Sequence, residues 1–200
     1  MYTILMFNMS TYNEWESGIR NRNYFILHEL LRREEVRHII GVDYVPVTLK
    51  QKIKMAARRI KNYELRVMNT TVREVGSNLT VVSAFDLKKL WNTLSTLLSS
   101  RFMMHDSKFI LWSYVPLYTD YFDKIPADLK VFDAVDDWSE HPSHHRKKEE
   151  IRRNYQKIAT QADVIFTVSS YMAEHLFKGK DSVHWIPNGV DVTSGLHYKS

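Results

Sequence analysis

Short, unbroken apolar runs alternate along this chain with longer stretches whose apolar residues recur at helical spacing. The runs cover residues 3–9, 36–45, 67–70 with 79–84, 109–115, 129–135, 164–168 and 183–186. Most are rich in Val, Ile, Phe and Tyr and are continuous rather than alternating, the pattern of strands buried on both faces. The stretches between them, 20–34, 48–62, 86–104, 146–161 and 169–177, carry helical periodicity. In the third, Leu87, Leu90, Trp91, Leu94, Leu97 and Leu98 repeat behind Asp86, a suitable N-cap. Strands and helices taken in turn predict βαβ units. The fold class expected is α/β: a doubly wound, mostly parallel sheet of about seven strands with helices on both faces, Rossmann-like. Ligands of such sheets sit at the carboxyl ends of the strands, so the loops after each run are where chemistry is sought.

Composition narrows the functional classes. The 200 residues are 44% hydrophobic and 26% charged, which is globular rather than disordered composition. There is no cysteine, which excludes disulfides, thiolate zinc sites and cysteine nucleophiles. The first ten residues lack the basic start of a signal peptide, and no apolar stretch is long enough to span a bilayer, so the expected location is the cytoplasm. A formal charge of +5 is a modest bias towards anionic partners. The basic residues are dispersed and interrupted by glutamates, which argues against nucleic acid. Residues 50–61 read as a basic amphipathic helix. Such a helix can rest peripherally on anionic lipid at the inner face of a membrane, or pack its narrow apolar face on the sheet with its lysines in water; the second reading is the stronger.

Two loops could carry chemistry. After the first run comes a polar turn with one glycine, Gly18, followed by Ile19, Arg20 and Arg22. The amides of a helix start can hold a phosphate and the arginines can add charge-assisted bonds, although an ordinary strand-to-helix turn has the same sequence. After the run at 129–135 come Asp133, Asp136, Asp137 and Trp138. A carboxylate there can accept a proton or a sugar hydroxyl, while Asp133, inside the strand register, equally suits a buried structural hydrogen bond. His141, His144 and His145 match no metal-ligand spacing, and no metal is expected. Trp15 and Trp138 lie in these loops and could form sugar-stacking surfaces.

The last third carries an ordered series: DAVDDW at 133–138, a helix with Glu149 and Glu150, QADVIFTVSS ending at Ser169 and Ser170, and PNGVD at 187–191. This series resembles the N-terminal domain of GT-B glycosyltransferases of the family-4 type, and its segment at 133–138 also looks like the subgroup involved in surface polysaccharides, such as teichuronic-acid-type transferases. The resemblance covers about residues 129 to 191 and is looser before. It implies that 1–191 is a Rossmann-like, acceptor-side domain and that 192–200 is a tail or the start of an inter-domain linker. It implies a retaining, metal-independent transfer from a nucleotide-diphosphate sugar to a sugar or lipid-linked acceptor in polysaccharide or glycolipid biosynthesis, with no cofactor beyond the donor itself. Gly18, Ile19, Arg20 and Arg22 would lie by the donor diphosphate, and Asp133, Asp137, Trp138, Ser169 and Asn188 by the substrates. Where the family commonly carries a catalytic histidine this sequence has Asp136, which becomes the candidate catalytic residue, orienting an acceptor hydroxyl. The resemblance also implies a donor-binding C-terminal domain across a cleft, without which this chain is expected to be weakly active or inactive and its open face to favour dimers. The alternative is a non-catalytic Rossmann-like binding or scaffold domain acting with a partner chain.

Overall fold

The computed structural model describes residues 1–44, 70–84, 87–99, 107–117 and 119–189. The helix expected at 48–62, the segment 50–61, Asp86 and the tail lie outside the described residues. The described chain forms strands β1 (Tyr2–Phe7), β2 (Val36–Tyr44), β3 (Thr71–Val75), β4 (Leu79–Ala84), β5 (Lys108–Ser113), β6 (Leu129–Ala134), β7 (Val164–Thr167) and β8 (Val183–Trp185). Its helices are α1 (Tyr12–Glu16), α2 (Arg22–Leu31), α3 (Leu87–Leu97), α4 (Asp120–Lys124), α5 (Lys148–Gln161) and α6 (Ser170–Leu176), with a 3-10 helix at Pro142–Lys147 before α5.

Among the described residues the sheet holds eight strands in the order β3-β4-β2-β1-β5-β6-β7-β8. Every pair is parallel except β3 with β4. The protein is therefore an α/β, mostly parallel, Rossmann-like fold. The eighth strand is the unexpected one. β3 runs antiparallel at the edge and turns into β4 through Gly76, whose φ of +69° suits glycine. It carries Arg73 and Glu74 to solvent instead of an apolar run, so a search for doubly buried strands passes over it. Of the apolar run at 67–70 only Thr70 is described, and it lies just before β3.

β1 is central and its last five residues are buried, because each face of the sheet is covered. On one face Leu5, Phe7, Ile40 and Val42 meet Leu90 and Leu94 of α3 and Ile151, Tyr155 and Ile158 of α5. On the other, Ile4, Met6, Ile39 and Val81 meet Trp15 of α1 and Leu27 of α2. Local signals start the helices. Thr11 and Glu14 form a capping box on α1, Asn21 caps α2 by accepting from the Tyr24 amide, and Ser169 caps α6 by accepting from the Met172 amide. Asn154, buried in α5, donates to the Pro116 carbonyl at 2.7 Å and so ties that helix to the loop after β5.

The chain steps from β1 outward to β2 and β4, then returns to the other side of β1 for β5 to β8. The order reverses between β1 and β5. In an open α/β sheet the loops leaving two such strands diverge, and the crevice this leaves at the carboxyl edge is the usual place for a ligand.

Candidate functional site

The carboxyl edge on the α2 face carries a row of buried polar side chains across four adjacent strands. Asp43 is the penultimate residue of β2, Asn8 follows β1, Tyr114 follows β5 and Asp133 lies in β6. They share this face because each is an even number of residues from an apolar residue packed there: Ile39, Met6, Trp112 and Val135 respectively.

At the β6 end, Arg22 spans the crevice. Its Nε donates to both Asp133 oxygens, at 2.9 and 3.2 Å. Its Nη1 donates to the carbonyls of Ile186 and Pro187, at 3.1 and 3.2 Å, and lies 3.4 Å from the Asn188 Oδ1. The Arg22 side chain is 11% exposed and that of Asp133 is fully buried. Burial pushes the Asp133 carboxyl above its ordinary range, and the bonds and charge of Arg22 pull it back only in part. The Tyr114 hydroxyl, also buried, is pushed well above its ordinary value by desolvation and then by the Asp133 charge. The Trp112 indole faces that hydroxyl without reaching hydrogen-bond geometry, and neither group finds another partner within the described chain.

At the β2 end, Asp43 accepts from the Tyr12 amide at 2.7 Å, from Asn8 Nδ2 at 3.2 Å and from the Ser83 hydroxyl at 3.4 Å. Burial outweighs these bonds and raises its pKa to about 6. Gly41 makes room for the arrangement: a Cβ there would stand 3.2 Å from Asn8 Nδ2.

The loop between the two ends is pinned at Ser10. Its hydroxyl accepts from Trp15 Nε1 at 2.7 Å and Asn21 Nδ2 at 2.8 Å, and donates to Asn23 Oδ1 at 3.3 Å. Asn23 Nδ2 and Asn8 Oδ1, both buried, have no partner within the described chain. Such orphans are costly and rare, and here they gather along the crevice.

The residues singled out from the sequence fall into three groups. Arg22, Asp133 and Asn188 are brought together by the contacts above. Gly18 and Ile19 close the end of α1, their amides donating to the carbonyls of Trp15 and Glu14 at 3.0 Å each, while the Arg20 guanidinium lies over the Tyr24 ring. In the loop after β6, the exposed Asp136 offers its backbone carbonyl to the Tyr155 hydroxyl at 2.9 Å, and that hydroxyl accepts from the Trp138 amide at 3.1 Å. Asp137 folds back on Ser139, accepting from its amide and hydroxyl. Trp138 stacks on His144 with rings 5.3 Å apart and nearly parallel. Ser169 serves as the α6 cap. Asp43, Asn8 and Tyr114 are additions to that set. A single acidic residue closing the apolar run VRHIIGVDY was the available signal for Asp43.

Among the described residues no cluster of three or more His, Asp or Glu side chains could hold a metal ion, and no helix is long and apolar enough to cross a membrane. No protein-family model and no curated protein matches the sequence.

Proposed function

We propose that this chain is the acceptor-side lobe of a nucleotide-sugar-dependent glycosyltransferase of polysaccharide or glycolipid biosynthesis, working against a donor-binding lobe. The observation that supports it most is the convergence on Arg22. This residue, at the start of the helix after β1, bonds to Asp133 and to Ile186 and Pro187. Residues of both segments that carry the resemblance, Asp133 and Pro187, are thereby tied to one side chain near the point where the strand order reverses. A rim of exposed apolar residues, Ile19, Phe25, Trp185 and Ile186, flanks Arg22 in sequence or by contact and suits a partner lobe.

In the transfer, the bond from the anomeric carbon to the diphosphate oxygen breaks, and a bond to an acceptor hydroxyl oxygen forms. The acceptor proton must leave. Asp136 has an exposed side chain, and the Tyr155 hydroxyl holds its backbone in place. That suits it to orient the hydroxyl and take its proton. Charge growing on the departing diphosphate is stabilised by donors aimed at it from the opposing lobe.

The experiment is a panel of uridine and guanosine diphosphate sugars offered to the full chain with and without a supplied donor-binding lobe, following release of nucleoside diphosphate. Release in the presence of the second lobe is expected, together with a loss of turnover on Asp136→Ala that leaves folding intact. Absence of release with every donor overturns the reading in favour of a non-catalytic binding domain. Normal turnover by Asp136→Ala overturns the assignment of that residue.

A further inference from the structure

The opposite face of the carboxyl edge carries a second feature, outside the Arg22 crevice. α3 and α4 leave the tips of β4 and β5 side by side, and between them lies a groove of about 230 Å³ lined by Leu87, Lys88, Trp91, Asp120, Tyr121 and Lys124. Helical spacing puts Leu87 and Lys88 on the same face as Trp91, and Asp120 and Tyr121 on the same face as Lys124. The two helices therefore bring an indole and two cations to one groove.

The indole is held by an aromatic ladder rooted in the sheet. Phe7, the last residue of β1, stacks on Tyr121 with centroids 4.7 Å apart, and Tyr121 lies 5.8 Å from Trp91. An aromatic side chain fixed from below binds at low entropic cost. Above it, the Lys124 ammonium sits 5.9 Å from the Trp91 centroid and 3.6 Å from Asp120, a long contact between two exposed side chains. Such a pair is weak and exchangeable. No hydrogen bond or ion pair joins Lys88 to another described residue.

We propose that this groove is a subsite for a pyranose bearing a carboxylate or a phosphate. The C–H face of a pyranose is apolar and its hydrogens are slightly positive, which complements the negative face of an indole. The anionic substituent would replace Asp120 as the partner of Lys124 and draw the ammonium off the ring, while Lys88 meets the same charge from the other lip. The volume lies below that of pockets for drug-sized ligands, so it takes one ring rather than a nucleotide. That the ring held here belongs to an acceptor rests on the glycosyltransferase reading; binding itself does not.

The test titrates methyl glucuronide, glucose 6-phosphate, neutral methyl glucoside and uridine monophosphate into the isotope-labelled full chain. The readout is the Trp91 indole N–H resonance, assigned by its loss in Trp91→Phe. A saturable shift with the glucuronide or the sugar phosphate is expected, with the glucoside at least tenfold weaker. Lys88→Glu combined with Lys124→Glu, both exposed, abolishes the shift while the rest of the spectrum stays dispersed. The better of the two anionic probes identifies the substituent. Equal binding of the glucoside, preference for the nucleotide, or undiminished binding by the charge-reversed chain overturns the subsite. Binding without diphosphate release in the donor panel fails the glycosyltransferase reading and leaves the subsite standing; release without binding does the reverse.

Discussion

Two aspartates are buried at the carboxyl edge of the same face of one sheet, and the fold treats them differently. Asp133 faces a guanidinium whose Nε reaches both of its oxygens. Asp43 faces an amide N–H, an asparagine and a serine, with no cation in contact among the described residues and only the charge of Arg73 acting from further off. An arginine stays charged in any protein, so the first site is built around an ion pair. The second holds an acid whose pKa has moved to about 6, where a proton can come and go. Neutral donors can position a buried carboxylate, but here they do not offset its desolvation.

The sharpest way to break this contrast is to remove the guanidinium. Arg22→Met leaves Asp133 buried without its counter-charge and should cost about 3–5 kcal/mol in urea denaturation. Adding Asp133→Leu should recover most of that loss. A single substitution costing under about 1 kcal/mol would show that the pair is not what holds the β6 end.

The next effect is a pH dependence at the other end. The folded protein keeps the Asp43 proton up to about pH 6, against an ordinary value of 3.8. Stability from that proton is fully present below the ordinary value and is lost as pH rises through about 6. Asp43→Asn has no proton to lose. Its stability relative to the parent should therefore rise by about 3 kcal/mol between pH 3 and pH 7. Asp133 is shifted in the same direction in both proteins and cancels from the difference. Thermal denaturation of the two proteins giving parallel pH curves would refute the assignment.

Smaller effects sharpen the comparison. Tyr155→Phe removes the hydroxyl that serves Trp138 and Asp136, and should cost about 1–2 kcal/mol while speeding exchange of the Trp138 amide hydrogen. It asks whether the loop beyond Asp133 is ordered independently of the ion pair. Gly41→Ala drives a methyl against Asn8 Nδ2, 3.2 Å away. It should destabilise by about 1 kcal/mol and perturb the Asp43 titration while leaving Arg22 untouched.

Continuous apolar runs made β1, β2 and β4 to β8 legible, because a strand covered on both faces has no polar side to disguise it. β3 was hidden by Arg73 and Glu74, and its hairpin turn at Gly76 was the signal available. The capping box at Thr11 and Glu14 marks α1, a helix of five residues that periodicity cannot detect. Arg22 and Asp133 both stood out as charged residues in the right loops and strands. Their mutual contact did not, since 111 residues separate them and only the strand order brings them together. Asp43 and Tyr114 were hidden for a related reason: burial, rather than residue type, makes them unusual.

The Arg22 contacts also bear on how the chain assembles. Arg22 is synthesised 164 and 165 residues ahead of its two carbonyl partners. The guanidinium cannot reach them until those residues are made, and contacts between such distant segments form late and slowly. The closing of this clamp is therefore a natural last step of folding, and a stalled nascent chain ending before β6 would expose the α2 face to chaperones.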